Sequence, residues 1–383
     1  MKIGIDARFY GIAGPGRYVS NLIKELEILD KENEYIIFLT KNGSELYRPQ
    51  NPNFKKWVAD YEWYSFSEQT FFLLDLFRAR LDLLHVPHFN VPVLYTKKMV
   101  VTVHDLIMHD FDTKEATNLP LPYFMFKQVV YKFVANWAVF KAKKIFVPTE
   151  TVKSELLQKL KTAKESKIIV TTEGVDQSLV ALAPRDEGVL RTRLEEMGVK
   201  STYLLYVGSA YPHKNLRTLI ISFKDFLEES IEKVQLVIAG KIDKFSQRIA
   251  GFAHALKLDN SVIFAAKYSE NMIVPDKDLA YLYKGALAYI CPSLKEGFSI
   301  TPLEAQAFGI PVLLSDIPTH KEVFGDSVLY FNPESNVDIN EKIAMILNDK
   351  NLREKISKLG TENIKRYSWR SMAEKTFQGY QEA

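Results

Sequence analysis

One cysteine, Cys291, stands in a chain of 383 residues. An internal disulfide framework and an all-cysteine metal site are therefore both excluded. Lying in an apolar run, that cysteine reads as inert. Nowhere is there a stretch of the roughly 18 to 20 apolar residues that a membrane-spanning helix needs. At the N-terminus Asp6 and Arg8 interrupt the apolar residues at once, so no signal-peptide core can form there, and a cytoplasmic protein is expected. Neither sign of charge is in much excess, the net value being +3. With no recognition motif beside it, that is too little to imply nucleic acid. Low-complexity tracts and short repeats are missing as well, which removes disorder and solenoids.

What remains is an ordinary globular composition, 47% hydrophobic and 25% charged, with length for about two domains at roughly 100 to 200 residues each. The densest stretch is Cys291 to Leu314. Leu287 to Cys291 reads as a buried strand that Pro292 ends. Thr301, Pro302 and Glu304 have capping-box spacing, which predicts a helix beginning at Thr301. Gly297 and Ser299 fall in the turn before it, where the unpaired N–H groups of a helix start favour an anion such as phosphate. Glu296 and Glu304 would bracket that turn with carboxylates able to accept from sugar hydroxyls. Each also has a plainer reading: Glu304 as a capping residue, Glu296 as a solvated loop charge.

From the N-terminus, Lys2 to Ala7 predicts a strand, Gly11, Gly14 and Gly16 a loop, Tyr18 to Leu29 a helix and Tyr35 to Leu39 a second strand. This is a βαβ opening. Its glycines run G-x-x-G-x-G and no acid follows the second strand at Thr40-Lys41, so a dinucleotide site is set aside. The glycines still fit close backbone approach to something bulky or charged. Further strands are expected at Leu81 to Val86, Met99 to Val103, Lys144 to Val147 and Ile168 to Thr172. His104 follows the Met99 to Val103 strand, at the end that faces a ligand crevice in a parallel sheet. Ala116 to Thr149 holds no Asp or Glu, while its lysines alternate with aromatic rings. That segment reads either as a core helix with a lysine outer face or as a peripheral contact with an anionic membrane surface. Leu182 to Lys200 reads as a linker with a short helix. A second parallel series follows: Tyr203 to Val207, Leu236 to Ala239, Val262 to Phe264 and the strand ending at Cys291. Lys214 precedes a helix start, where an ammonium would add charge to an amide-lined phosphate site or would lie in solvent. Asn340 to Arg366 reads as helices, and Ser368-Trp369 opens a last one.

In this setting Glu296-Gly297-Phe298-Ser299 with Glu304 resembles the E-x7-E element of retaining family 4 glycosyltransferases of the GT-B fold. Other stretches fall in matching order: Ile5-Asp6-Ala7-Arg8, Gly14-Pro15-Gly16-Arg17-Tyr18, Thr102-Val103-His104-Asp105, Val147-Pro148-Thr149, Glu173-Gly174-Val175-Asp176, Pro212-His213-Lys214-Asn215 and Ser368-Trp369. The resemblance covers nearly the whole chain. It implies an α/β protein of two Rossmann-like domains with parallel sheets facing across a cleft: residues 1–182, joined by a C-terminal helix at 368–383, and residues 200–367. It further implies a nucleoside-diphosphate sugar, GDP- or UDP-linked with mannose favoured, as donor substrate, and a glycan or lipid-linked acceptor in cell-surface polysaccharide synthesis. Neither metal nor resident cofactor is implied. The chemistry would rest on His104 near the reacting centre, Glu296 beside the donor sugar and Lys214 on the diphosphate. Glu304 would hold the ribose, and the amides around Phe298, Ser299 and Ile300 the phosphates. Gly14 and Gly16 would let the N-terminal loop close over them. Ser209 stands where many relatives carry an arginine, a charge contact that is either lost or supplied by Arg17. An epimerase of the same fold, or a silent sugar-nucleotide binding module, are the alternatives.

Overall fold

The computed structural model describes residues 1–110, 121–269 and 271–383. The chain forms two compact units: Met1–Gly174 together with Ser368–Ala383, and Val175–Tyr367.

The first unit is built on seven parallel strands: β1 (Lys2–Asp6), β2 (Glu34–Leu39), β3 (Phe54–Val58), β4 (Leu83–Val86), β5 (Met99–Thr102), β6 (Ile145–Val147) and β7 (Ile168–Val170). Their order is β3-β2-β1-β4-β5-β6-β7, with Ile5 paired to both Ile37 and His85. The order reverses between β1 and β4, which opens a crevice at the carboxyl ends of those strands. Its helices are α1 (Ala13–Leu29), α2 (Lys41–Leu46), α3 (Leu73–Arg78), α4 (Ile107–Asp110), α5 (Leu121–Lys141) and α6 (Glu150–Lys159). A π-helical turn, Glu68–Phe72, leads into α3. Leu76 of α3, Ala135 and Val139 of α5 and Leu156 of α6 join Leu84, Val101 and Ile145 in one core on a single sheet face.

The second unit contains six parallel strands: β8 (Thr202–Val207), β9 (Val234–Ala239), β10 (Val262–Phe264), β11 (Ala288–Cys291), β12 (Val312–Ser315) and β13 (Leu329–Phe331). The order β10-β9-β8-β11-β12-β13 reverses between β8 and β11. Its helices run in chain order α7 (Gln177–Ala181), α8 (Glu187–Glu196), α9 (Leu216–Glu229), α10 (Lys244–Ala255), α11 (Asp276–Gly285), α12 (Ile300–Ala307), α13 (Pro318–Phe324), α14 (Asn336–Asn348) and α15 (Lys350–Asn363). The chain then returns to the first unit as α16 (Trp369–Gln381), where the Tyr380 hydroxyl lies 2.6 Å from His85 Nδ1. Gly174 has no Cβ because one would sit 2.4 Å from the Trp369 amide nitrogen, so the start of α16 packs directly on that backbone.

Several elements differ from the sequence reading. The short helix expected in residues 182–200 is α8, but the stretch is part of the second unit rather than a linker: the Arg193 guanidinium donates to both Asp278 oxygens at 2.9 and 2.7 Å. Helix α1 takes Gly14 and Gly16 into its first turn rather than leaving them in a loop. Helix α12 begins at Ile300, with Ser299 at its cap in the left-handed region (φ 74°). Thr301 is therefore inside the helix, its hydroxyl 2.8 Å from that of Tyr289, and the capping box with Glu304 does not form.

Candidate functional site

In the second unit the two loops leaving the strands at the order reversal are 208–215, after β8, and 292–299, after β11. A switch point places such loops side by side above the sheet. Here they are tied: the Leu294 amide donates to the His213 carbonyl at 2.8 Å. Lys214 ends a 3₁₀ turn, Pro212–Lys214, and its ammonium donates to Glu296 Oε1 at 2.6 Å. Both side chains are largely buried. Burial pushes the Glu296 carboxyl up, but the Lys214 charge and hydrogen bonds from Lys214 and Ser293 outweigh it and hold the group below its ordinary range. Thr319 Oγ1 donates to the Glu296 carbonyl at 2.8 Å and fixes the loop from the α13 side.

Ser299 makes the turn. Its hydroxyl lies 3.0 Å from His320 Nε2, and His320 Nδ1 lies 2.9 Å from the Ser315 carbonyl oxygen. A carbonyl only accepts, so Nδ1 carries the hydrogen and Nε2 accepts from Ser299. Burial lowers the His320 pKa to about 4, consistent with a neutral ring. With the hydroxyl committed to His320, the Ser299 side chain makes no bond to the start of α12. The first amides of that helix, from Ile300 on, lack partners within it and form an anion-favouring end. Phe298 packs its ring edge-on against Tyr367 at 5.5 Å, so its side chain belongs to the core. Glu304 is buried one turn in, with Oε2 2.9 Å from the Tyr283 hydroxyl. That hydroxyl also lies 3.1 Å from the Thr301 carbonyl. Ser209 lies in the 208–215 loop, where its carbonyl accepts from Tyr206 at 2.7 Å.

In the first unit His104 follows β5. Its Nε2 donates to the Pro87 carbonyl at 3.1 Å, and its Nδ1 lies 3.2 Å from Glu173 Oε1. The carbonyl fixes a proton on Nε2 and leaves Nδ1 facing the Glu173 carboxyl. The edge of Tyr18 stands against the imidazole, the ring centroids 4.7 Å apart. Thr102 Oγ1 lies 3.0 Å from the Tyr18 hydroxyl and 2.8 Å from His85 Nε2, so the ring against His104 is itself held by a polar chain. Gly16 is required by close approach: a Cβ would stand 2.4 Å from the Phe9 carbonyl oxygen. A Cβ on Gly14 would meet nothing within 4 Å. Arg17 follows in the first turns of α1, half-buried, its carbonyl accepting from Asn21 at 2.9 Å.

Lys214 and Glu296 are thus brought into contact, as are Ser299 and His320, while Glu304 is held separately by Tyr283. His320, Thr319, Tyr283 and Glu173 were given no role in the sequence reading. His320 lies within α13, beyond β12, a strand the sequence reading did not identify, so the positional rule that marked His104 had nothing to act on. Among the described residues no group of three or more His, Cys, Asp or Glu side chains could hold a metal ion.

Two parallel-sheet Rossmann-like halves, of seven and six strands, define a protein of the GT-B class. Residues 12–179 match the sequence model of Glycosyltransferase Family 4, and residues 195–363 that of Glycosyl transferases group 1. The chain belongs to this glycosyltransferase family. It is 27% identical over 247 residues to the O-antigen chain mannosyltransferase RfbU of Salmonella typhimurium, a match spanning 64% of this chain and 60% of that relative. Among solved structures, sucrose-phosphate synthase of Thermosynechococcus elongatus aligns with a TM-score of 0.76 and 18% identity, covering 100% of this chain and 98% of that one. Anabaena HepE, in complex with UDP and glucose, aligns with a TM-score of 0.74 and 14% identity over 100% of both chains.

Proposed function

We propose that the protein transfers a hexosyl group, with retention of anomeric configuration, from a GDP- or UDP-linked sugar to a glycan or lipid-linked acceptor in cell-surface polysaccharide synthesis. The observation that carries this reading is the Lys214–Glu296 pair, with its 2.6 Å contact, in loops joined beside the start of α12. A diphosphate brought to that end competes with Glu296 for the ammonium. Once Lys214 turns to phosphate, Glu296 is released to accept from a donor-sugar hydroxyl.

As the glycosidic bond breaks, negative charge grows on the leaving diphosphate. The amides at Ser299 and Ile300 are fixed donors for it, joined by Lys214 once it has turned, and such donors act where charge develops. This assigns leaving-group stabilisation to the chain's own groups and asks for no metal. Glu304, positioned by Tyr283, takes the ribose hydroxyls. His104, oriented by Glu173 and the Pro87 carbonyl, serves the sugar and acceptor, and the open space at Gly14 gives phosphate room near the start of α1. The mannosyltransferase relative favours GDP-mannose, and the UDP-bound neighbour keeps UDP in play. A peripheral membrane contact through 116–149 belongs to the same reading, of which residues 116–120 lie outside the described residues.

Thermal-shift titration with UDP, GDP and ADP tests the donor assignment. One of the first two is expected to raise the unfolding temperature in wild type and to lose that effect in Lys214→Met. Equal shifts in both proteins would remove the phosphate role from Lys214.

A further inference from the structure

We propose that residues 64–78, the 93–98 loop and α5 together form a docking surface for an anionic lipid bilayer, a face wider than the acid-free stretch alone. Helices α3 and α5 cover the same face of the first sheet, since Leu73 and Leu76 of one and Tyr131, Val134 and Ala138 of the other enter one core. The loop between them joins the two: Trp137 Nε1 donates to the Val93 carbonyl at 2.9 Å, and the Phe77 and Tyr95 rings lie 5.5 Å apart.

What these elements turn outward is apolar. Phe66 is 83% exposed, Leu94 70% and Val129 68%, and Phe71, Phe126 and Phe133 are each more than half exposed. The outer side of a helix packed on such a sheet is ordinarily polar. Neighbouring α6, on the same core, follows that rule with exposed Glu150, Ser154 and Gln158, Glu150 being paired with Lys153. Large exposed rings spread over three adjoining elements mark an interaction surface.

The charges select the occupant. Among the described residues of 64–78, 93–98 and 121–141, the exposed charged side chains are Arg78, Lys97, Lys98, Lys127 and Lys132, all basic. The acids in these segments, Glu68 and Asp75, are buried, Glu68 on Arg8 and Asp75 beneath the Tyr61 hydroxyl. A second copy docked face to face would set this basic rim against itself, which like-charge repulsion disfavours. Apolar side chains rimmed by lysine and arginine suit the boundary between acyl chains and anionic headgroups. No helix among the described residues is long and apolar enough to cross a membrane, so the contact is with the surface.

The surface extends the peripheral contact proposed above. Vesicle binding reads it without turnover, so its failure and that of the transfer reading are separable. Full-length protein is floated with phosphatidylglycerol–phosphatidylcholine vesicles and with phosphatidylcholine alone. Wild type is expected to float with the anionic vesicles, to stay behind with the neutral ones and to be released by high salt. Phe66→Ser with Phe71→Ser, and separately Phe126→Ser with Phe133→Ser, are each expected to lower partitioning about tenfold or more. Both variants should keep the wild-type unfolding temperature, because the rings replaced lie outside the core. A wild type that does not float overturns the proposal, as does a dimer in sedimentation that the same variants abolish. Undiminished flotation of the folded Phe66/Phe71 variant refutes the two-element face.

Discussion

Lys214 and Glu296 hold each other in a largely buried pair, so removing either one has a structural consequence as well as a functional one. Breaking a buried pair from one side costs about 3 to 5 kcal/mol, because the other charge stays behind. Lys214→Met should therefore lose stability and nucleotide response together. Glu296→Gln, which keeps a hydrogen-bond acceptor for Lys214, should lose less stability while turnover collapses. Chemical denaturation beside steady-state kinetics separates the two effects; equal turnover in Glu296→Gln and wild type would take Glu296 out of the chemistry. His320 adds a pH signature. Its folded value near 4 lies below the ordinary 6.5, so between those values the unfolded chain binds a proton that the folded chain does not. Stability from this group is complete above 6.5 and is lost as pH falls towards 4. The gap in unfolding temperature between wild type and His320→Gln should accordingly narrow on acidification, as followed by calorimetry from about pH 7 to about pH 4.

At the scale of elements, the start of α1 offers a contrast between two glycines. Gly16→Ala forces a Cβ against the Phe9 carbonyl oxygen and should cost about 1 to 3 kcal/mol. Gly14→Ala has open space and a helical backbone, so stability should hold or rise by about 0.5 to 1 kcal/mol. If Gly14 makes room for phosphate, that same variant weakens the nucleotide response; a Gly14→Ala protein with unchanged nucleotide affinity would withdraw the role. Elements also show what the sequence could and could not disclose. Runs such as Tyr203 to Val207 are apolar enough to read as buried strands. Phe54–Val58 escaped because Lys55 and Lys56, exposed on an edge strand, break the apolar pattern. Strands β12 and β13 were not read, although strands as short as Val262–Phe264 were. The start of α12 was misplaced because Thr301-Pro302 carries a strong start signal, whereas the observed start depends on Ser299 being held at positive φ beside His320, a long-range contact. Lys214, Glu296 and Glu304 were legible from their places beside helix starts and from the E-x7-E spacing, and His104 from its place at a strand end. Their partners Tyr283, Thr319 and Glu173 were not, because those bonds are made across sequence separations no local pattern encodes.

For the whole molecule, the chain passes from the first unit to the second at Gly174 and returns at Ser368. Helix α16 is therefore part of the first unit's stability, through packing on α1 and through Tyr380 on the buried His85. Tyr380→Phe should cost about 1 kcal/mol by leaving His85 Nδ1 without its partner, seen as a lower midpoint in urea. Donor nucleotide, in contrast, should protect amides in 208–215 and 293–304 of the second unit in hydrogen exchange. The central claim is transfer from a nucleoside-diphosphate hexose, and one measurement reaches it: a proton and phosphorus NMR time course of the enzyme with GDP-mannose or UDP-glucose and a bacterial glycolipid extract. The expected record is release of nucleoside diphosphate matched by a new glycoside in the donor's own anomeric configuration, dependent on acceptor and absent with Glu296→Gln. An intact donor with every acceptor, an inverted product, or an epimerised sugar formed without acceptor would contradict it.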